Sequence, residues 1–248
     1  MGIKKQGFRF LLTGLLLLVL MLAGCPIPET VQENRTYSIE QMLGYLRGQG
    51  FSTDDYSLEN NRLVIEGDIL FNIEDLKAEM YLSDQDSARQ SVCINQVRRS
   101  KIINIRINTR APSPSTSIIS ESWMAALKSA VDAWNNVRNC ILNFVLVDST
   151  AKSDTFVCME ANANTGIVAM ASGPDWNGNP GTGICINPNW AGGVENLSPS
   201  QKYLVMLHEM GHIVGLQHAE FDLTGYGYIP GTPLNDPMSV MNSMVLGS

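Results

Sequence analysis

The sequence predicts an α+β fold, and two observations support this class. A long amphipathic helix is predicted from about Ser120 to Arg138, with short strand-like segments before and after it. A second, apolar helix follows the last of these segments and carries the histidines of the chain. Strands and helices therefore alternate through the larger part of the sequence, and a smaller group of elements precedes them.

The first 24 residues are typical of a lipoprotein signal peptide. Basic residues precede a leucine-rich core at 10–22, which is shorter than a membrane span needs. The core ends in Leu-Ala-Gly-Cys25, which resembles the bacterial lipobox. The resemblance implies cleavage before Cys25, a lipid on its sulfur, and an exported protein that is anchored to a membrane. An uncleaved anchor helix and a plain secretory signal are the alternatives, and both also predict export.

Residues 25–37 are predicted to be a linker, and residues 38–97 a small α+β module. A helix is predicted from Ser38, its N-cap, to Leu46, with Gln41 at the capping-box position. A strand interrupted by glycine is predicted at 62–70, and a second helix at 73–81. The module carries no catalytic motif, and its position ahead of a catalytic domain suggests a pro-region.

Residues 98–248 are predicted to form the second domain. It begins with a strand at 102–108, in which isoleucines alternate with polar residues. A Pro- and Ser-rich loop at 111–117 leads to the long helix, which Ser120 caps. Apolar residues at helical spacing on this helix predict a core-facing side. Further strands are predicted at 142–147, 155–160, 166–171 and 183–187.

All three histidines of the chain lie in one short stretch, His-Glu-Met-Gly-His-Ile-Val-Gly-Leu-Gln-His. Residues i and i+4 of a helix project from the same side, so His208 and His212 can bind one metal ion. Glu209 lies off that face, where it can take a proton from a metal-bound water. Gly215 can adopt the positive φ that ends a helix and returns His218 as a third ligand. Three protein ligands with an open fourth position are typical of a catalytic zinc.

The extended motif HExxHxxGxxH resembles the signature of the metzincin zinc peptidases. The resemblance implies Zn²⁺ ligands at the three histidines and Glu209 as the general base. Metzincins also have a methionine turn, which the Ser-Val-Met-Asn segment ending at Asn242 resembles. Met241 is the candidate methionine, with Met238 and Met244 as alternatives. Ser243 stands where some metzincins have an additional tyrosine ligand, so no such ligand is predicted.

The order of elements also resembles the metzincin N-terminal subdomain, which implies a twisted mixed sheet with two long helices packed on it. The chain after Gly215 would form a small C-terminal subdomain. The sequence HEMGH is similar to that of a bacterial group whose active-site helix often contains HEIGH. The resemblance covers roughly residues 101–245 and implies that residues 183–187 form an edge strand for substrate. The predicted function is a zinc-dependent endopeptidase that acts on proteins or peptides.

Two other classes of function compete with this prediction. One is a zinc hydrolase with another substrate, and the other is a catalytically inactive zinc lipoprotein with a binding role. Glu209 counts against the inactive form, since a binding protein has no need of that carboxylate. The chain has no GxSxG motif and no fourth histidine, which disfavours serine and cysteine hydrolases.

If the module at 38–97 is a pro-region, one of its side chains should block the metal. The Cys93 thiolate is one candidate, and a carboxylate of Asp54, Asp55 or Asp68 is another. The sequence does not rank the three carboxylates. The basic pair 98–99 would be a natural cleavage site, although two solvated charges near a domain boundary are an alternative.

The four cysteines after Cys25 are an even number, which predicts two disulfides of undetermined connectivity in an exported protein. They are Cys93, Cys140, Cys158 and Cys185. Oxygen-bearing side chains alternate at 175–181, a weak Ca²⁺ signal that a turn-rich loop also explains. With a net charge of −7 and no basic tract interleaved with aromatic residues, no nucleic-acid partner is predicted. The expected protein is a monomer.

Overall fold

One mixed β-sheet contains all nine strands of the residues that the structure describes. The structure is a computed structural model, and it describes residues 36–85, 103–175, 177–219 and 236–243. The predicted signal peptide, Cys25, the basic pair 98–99, Cys93 and Met244 lie outside these residues. Within the described part of the chain, no helix is both long and apolar enough to cross a membrane.

The front part of the chain forms two helices and three strands. Their bounds are α1 Ile39–Gly48, β1 Tyr56–Glu59, β2 Arg62–Ile65, β3 Ile69–Asn72 and α2 Ile73–Gln85. The predicted N-cap of α1 is confirmed, since Ser38 and Gln41 form a reciprocal capping box.

The single strand predicted at 62–70 is wrong, because the chain reverses within it. Glu66 and Gly67 have φ values of 53° and 92°, and the strands on either side, β2 and β3, pair as an antiparallel hairpin. We call Arg62–Asn72 the front hairpin.

The remaining elements follow the predicted order closely. Their bounds are β4 Ile103–Asn108, β5 Thr116–Ser117, α3 Glu121–Asn135, β6 Leu142–Leu146, β7 Thr155–Glu160, β8 Ala169–Ser172, β9 Gly183–Ile186 and α4 Pro199–His212. A short 3-10 turn at Val194–Asn196 precedes α4. Ser120 caps α3 as predicted, although the helix ends before Arg138.

The sheet has the strand order β1-β2-β3-β8-β9-β7-β4-β6, and β5 pairs with β7. Strands β6, β4, β7 and β9 are parallel, whereas β8 is antiparallel to β9. The prediction that residues 183–187 form an edge strand is therefore wrong, because β9 has neighbours on both sides. Among the strands that follow residue 102, β8 and β6 lie at the two edges, and β3 of the front hairpin pairs with β8 in parallel.

Helices α3 and α4 pack together over the sheet and form the main core. Trp123, Leu127 and Ala130 of α3 are fully buried in this core with Met206 and Met210 of α4. The α+β class and the mixed sheet with two packed helices are confirmed. The helix with the histidines is therefore held rigidly by a large apolar face.

The front hairpin packs on both of its faces. On one face, Leu63, Ile65 and Ile69 pack against α1 and α2 in a separate small core. On the other face, Val64 and Leu70 pack with residues of β7, β8 and β9, which are Cys158, Met170 and Cys185. The described residues from Tyr37 onward accordingly belong to one compact unit.

Candidate metal centre

Helix α4 has well-defined ends, and these fix the histidines that it carries. The Ser198 hydroxyl accepts a hydrogen bond from the Gln201 N–H, the Gln201 side chain accepts one from the Ser198 N–H, and Pro199 begins the helix. The helix ends at His212, and Gly215 has a φ of 100°. This left-handed residue turns the chain back, so that His218 reaches the histidines on the helix.

The three histidine rings converge at their Nε2 atoms. The Nε2 atom of His208 lies 3.0 Å from Nε2 of His212 and 3.1 Å from Nε2 of His218. All three side chains are buried. Three nitrogen atoms that share one point in the protein interior are the arrangement that a tetrahedral metal ion requires.

The other ring nitrogens are held by main-chain carbonyl groups. Nδ1 of His208 is 2.8 Å from the Val240 carbonyl oxygen, and Nδ1 of His212 is 2.8 Å from that of Leu216. A ring that donates its Nδ1–H to a carbonyl keeps a lone pair on Nε2. The two helix histidines therefore present free lone pairs to the point at which the rings meet.

A fourth group comes from the front hairpin. The Asp68 carboxylate oxygens lie 3.3 Å from Nε2 of His208, 3.5 Å from Nε2 of His212 and 3.2 Å from Nε2 of His218. One ligand atom from each of these four residues lies within 4.8 Å of the others. No other group of three or more His, Cys, Asp or Glu side chains in the described ranges is close enough to hold a metal ion.

This donor set fits zinc. Zinc binds imidazole nitrogen and carboxylate oxygen at about 2.0–2.2 Å, so tetrahedral ligand atoms lie about 3.3–3.6 Å apart. The Asp68 oxygens lie 3.2–3.5 Å from the imidazole nitrogens, which agrees with this range to about 0.1 Å. The nitrogen–nitrogen separations of 3.0 and 3.1 Å are slightly shorter. Imidazole with carboxylate is also a ligand combination found in zinc sites.

Glu209 is buried beside this cluster, and its Oε2 atom has no hydrogen-bond partner in the structure. Burial, followed by repulsion from the Asp68 carboxylate, raises the pKa of Glu209 well above its usual value. A buried carboxyl group with an unpaired oxygen is suited to accept a proton from a nearby water.

His218 lies between two carboxylates of the front hairpin. Its Nδ1 atom is 3.3 Å from Glu66 Oε2, and its Nε2 atom is 3.2 Å from Asp68 Oδ1. Burial alone would lower the pKa of His218, but its close contacts with the Asp68 and Glu66 carboxylates raise it to about 10. The protein groups alone therefore favour a protonated His218 balanced by the hairpin.

The same contacts act on Asp68. Burial would raise the pKa of Asp68, but its close contacts with the imidazole rings of His208, His212 and His218 hold it well below its usual value. In contrast, burial lowers the pKa of His212 despite its proximity to Asp68. A deprotonated Asp68 beside a neutral His212 provides ligand atoms in the protonation states that zinc requires.

Met241 lies against helix α4 between the two helix histidines. A Cβ atom on Gly211 would be 2.4 Å from Met241 Sδ and 3.0 Å from its Cε. Met241 is buried and its carbonyl accepts a hydrogen bond from the Ala219 N–H at 2.8 Å, whereas Met238 is 89% exposed. Of the two described candidates for the Met-turn, only Met241 is buried against the helix that carries His208 and His212, and its role as the Met-turn residue stays a prediction.

The cysteines form no disulfide in the described ranges. Cys140, Cys158 and Cys185 are free thiols, and the last two face each other across β7 and β9. A hydrogen bond between these two thiols lowers the pKa of Cys158 and raises that of Cys185 well above its usual value. Two disulfides among four cysteines would require one bond between two of these three residues, and the structure shows none.

The loop at 175–181 is closed by its own hydrogen bonds. Both carboxylate oxygens of Asp175 accept hydrogen bonds from Asn179, one from its main-chain N–H and one from its side-chain amide, each at 2.8 Å. Gly178 has a φ of 75°, as a tight turn requires. These contacts match the turn-rich alternative, and Ca²⁺ binding stays a prediction.

The role of the front hairpin in the site was only partly predicted. Asp68 was one of three candidate carboxylates, and the contact of Glu66 with His218 was missed. Asp54 and Asp55 are exposed. A signal was present in the sequence, because Glu66-Gly67-Asp68 separates two apolar runs and is typical of a turn. A turn places neighbouring polar side chains together at the end of a hairpin.

Comparison with known proteins identifies the family. The family model described as the dual-action HEIGH metallo-peptidase, Peptidase_M57, matches residues 63–224, which include the three histidines and all of the front hairpin except Arg62. No curated protein matches the chain significantly. Similar solved structures include "Structure of myroilysin" and "Crystal structure of myroilysin", both at 15% identity and a TM-score of 0.34. The first match covers 50% of this chain and 53% of the myroilysin chain, and the second covers 52% and 50%. This chain therefore spans about half the length of these proteins. Because the family match extends over well over half of the sequence, this chain belongs to the dual-action HEIGH metallo-peptidase family.

Proposed function

We propose that the protein is a zinc-dependent endopeptidase whose metal is held by His208, His212 and His218. The observation that carries this proposal is the convergence of the three Nε2 atoms, 3.0 and 3.1 Å apart, next to the unpaired Oε2 atom of Glu209. Membership of a metallopeptidase family implies protein or peptide substrates. The arrangement of ligands and base supports hydrolysis within this class.

His208, His212 and His218 would hold the zinc ion, which would supply Lewis-acid chemistry to polarise a peptide carbonyl and to lower the pKa of a water molecule. The protein groups supply the proton transfers. Glu209 takes the proton of the attacking water and then delivers it to the amine of the leaving peptide. Its raised pKa favours the first step, because a carboxylate with a raised pKa is a stronger base. The carbonyls of Val240 and Leu216 keep the helix imidazoles oriented.

The decisive variant is Glu209→Gln, tested on the purified protein with a quenched peptide library. We expect one equivalent of zinc by elemental analysis and a loss of cleavage of about 10²–10⁴-fold. Glu121→Gln, which changes an exposed carboxylate on α3, is the matched control and should keep full activity. Full turnover by Glu209→Gln would refute the assignment of the base. Zinc binding without any cleavage, including after limited proteolysis, would favour a binding lipoprotein.

We also infer from the sequence that the protein is exported, lipidated at Cys25 and monomeric. The basic and leucine-rich segment followed by Leu-Ala-Gly-Cys supports export and lipidation. Growth with a labelled fatty acid should label the protein in the membrane fraction, and Cys25→Ser should abolish the label. A Cys140→Ser variant controls for the loss of a thiol. Equal labelling of all three forms would contradict lipidation at Cys25.

The module at 38–97 is part of this proposal as a pro-region that keeps the peptidase latent. Its described strands pair with the rest of the sheet, and its hairpin reaches the histidines. Limited proteolysis should therefore raise activity if cleavage frees this module. Unchanged activity after its loss would contradict latency.

A further inference from the structure

The front hairpin places a carboxylate where the fourth metal ligand belongs. Asp68 is the last residue of the turn, and its oxygens lie 3.2–3.5 Å from the three imidazole nitrogens. These separations are those expected between ligands that share one tetrahedral zinc ion, about 3.3–3.6 Å. A catalytic zinc keeps its fourth position for water or substrate. A protein carboxylate in that position would exclude both.

The turn is shaped by contacts with the metal site. Glu66 is a non-glycine residue with a φ of 53°, a conformation that persists only where its surroundings impose it. Its carboxylate accepts a hydrogen bond from the Ser52 N–H at 2.7 Å and lies 3.3 Å from Nδ1 of His218. Glu66 and Asp68 therefore contact the two ring nitrogens of the same histidine. The turn therefore contacts His218 through two carboxylates at once.

The strand that follows Asp68 covers the outer side of β8. Strand β3 pairs in parallel with β8 through Ile69 opposite Ala171 and Leu70 opposite Ser172. The Ala171 N–H also donates a hydrogen bond to the Asp68 carbonyl at 2.9 Å. Extended peptides bind by adding a strand to an open sheet edge. While β3 is in place, β8 has no free edge to offer.

An ion pair fastens the hairpin to the sheet at its other end. The Arg62 guanidinium donates two hydrogen bonds to the Glu160 carboxylate on β7, at 2.9 and 3.0 Å. The two side chains are only 20% and 12% exposed. Bidentate, charge-assisted pairs of this kind are among the stronger side-chain contacts. Arg62 contacts none of the histidines, so it holds the hairpin without belonging to the metal site.

We propose that Asp68 is the fourth zinc ligand of the resting protein, and that the front hairpin closes both the metal and the substrate edge until it is displaced. The part concerning latency rests on the proposed peptidase function, whereas the ligand assignment does not. Displacement of one hairpin would free the fourth metal position and the β8 edge together.

Metal binding tests the ligand assignment without any activity assay. We expect Asp68→Ala to weaken zinc binding about tenfold or more in competition with a chromogenic chelator. In the cobalt-substituted protein, the visible absorption should change, because a water replaces the carboxylate on the metal. Asp55→Ala, an exposed aspartate of the same module, should change neither property. If Asp68→Ala does not fold, zinc affinity and the cobalt spectrum are measured on Asp68→Asn, which retains the shape of the side chain.

Unchanged zinc affinity and an unchanged cobalt spectrum in a folded Asp68 variant would overturn the proposal. Weaker zinc binding and an altered spectrum, with no cleavage by the parent or any variant, would support Asp68 as a ligand and overturn the peptidase function. The two proposals therefore fail in distinguishable ways.

The ion pair tests the closure separately. We expect Arg62→Ala to raise peptide cleavage about tenfold or more, since the hairpin loses its bidentate contact. Arg47→Ala is the control, because Arg47 also lies in the front part of the chain but bonds locally, to Thr53. Asp68→Ala should activate as well. Equal cleavage rates for the parent, Arg62→Ala and Arg47→Ala in an active preparation would overturn closure by the hairpin.

Discussion

The contact between Gly211 and Met241 allows a quantitative test of the Met-turn. Gly211→Ala adds one Cβ atom to helix α4 between the two helix histidines. That atom would lie 2.4 Å from Met241 Sδ, whereas apolar atoms in contact are about 3.5–4.0 Å apart. The sulfur must move by more than about 1 Å. Met241 is 5% exposed and its carbonyl is bonded to Ala219, so little space is available for this movement.

Two opposing effects determine the size of the change. Overpacking of a buried site costs about 1–3 kcal/mol. Alanine in place of glycine within a helix contributes about 1 kcal/mol in the opposite direction. We expect Gly211→Ala to lower the free energy of unfolding by about 1 kcal/mol and by at most about 2 kcal/mol. For a protein of this size, the melting temperature should fall by about 2–8 °C.

A double-mutant cycle separates the contact from other effects of the substitution. Met241→Ala removes the sulfur, so Gly211→Ala in that background should stabilise the protein by up to about 1 kcal/mol. Chemical denaturation of the four zinc-loaded proteins, at one fixed concentration of free zinc, measures each term. Gly44→Ala is a control in α1, where no atom lies within 4 Å of the added carbon, and it should be stabilising. The same destabilisation by Gly211→Ala with and without Met241 would refute the placement of Met241.

Three further predictions concern the framework around the site. The Lys202 side chain is 4% exposed and forms an ion pair with the half-exposed Glu195. Glu195→Gln should therefore lower the free energy of unfolding by about 1–2 kcal/mol, whereas Lys202→Met should lower it by less than about 1 kcal/mol. If urea denaturation shows the reverse order, the buried Lys202 ammonium does not depend on Glu195. Gly181→Ala should lower the free energy of unfolding by more than about 3 kcal/mol, because the added Cβ atom would collide with the Ser172 carbonyl oxygen. An unchanged melting temperature would contradict the close approach of Gly181 to Ser172. After chelation of zinc, the depressed pKa of Asp68 means that its stabilising contribution is present above its unfolded value of 3.8 and is lost as the pH falls through its folded value. Below about pH 5, where Asp68 begins to be protonated in the unfolded chain, unfolding free energies should therefore rise with pH. An equal slope in Asp68→Asn over this range would contradict this contribution.

Local patterns in the sequence predicted the parts of the fold that depend on neighbouring residues. The spacing of His208, Glu209 and His212 placed them on one helix, because helical periodicity alone determines which side chains share a face. Ser38 and Gln41 predicted a capping box for the same reason. Gly215 was predicted to have a positive φ, and its φ of 100° follows from the turn that ends the helix.

Contacts between distant residues were not predictable in this way. Strand β9 was predicted to be an edge strand, whereas β8 lies outside it in the structure. The order in which strands pair determines this difference, and the alternation of apolar residues does not specify that order. The choice of Asp68 over Asp54 and Asp55 depends on where a hairpin docks. Lys202 was not predicted to be buried, because its burial depends on Glu195 and on α3 packing beside it.

The contacts of His208 have a consequence for the order of folding. Its ring meets Asp68, 140 residues earlier in the chain, and Val240, 32 residues later. Closing segments of this length costs chain entropy before the contacts are formed, and contacts of long sequence separation slow folding. The complete metal site should therefore be among the last features to assemble. We expect zinc uptake, followed in refolding experiments, to lag behind the formation of helix and sheet and to report the arrival of the native state.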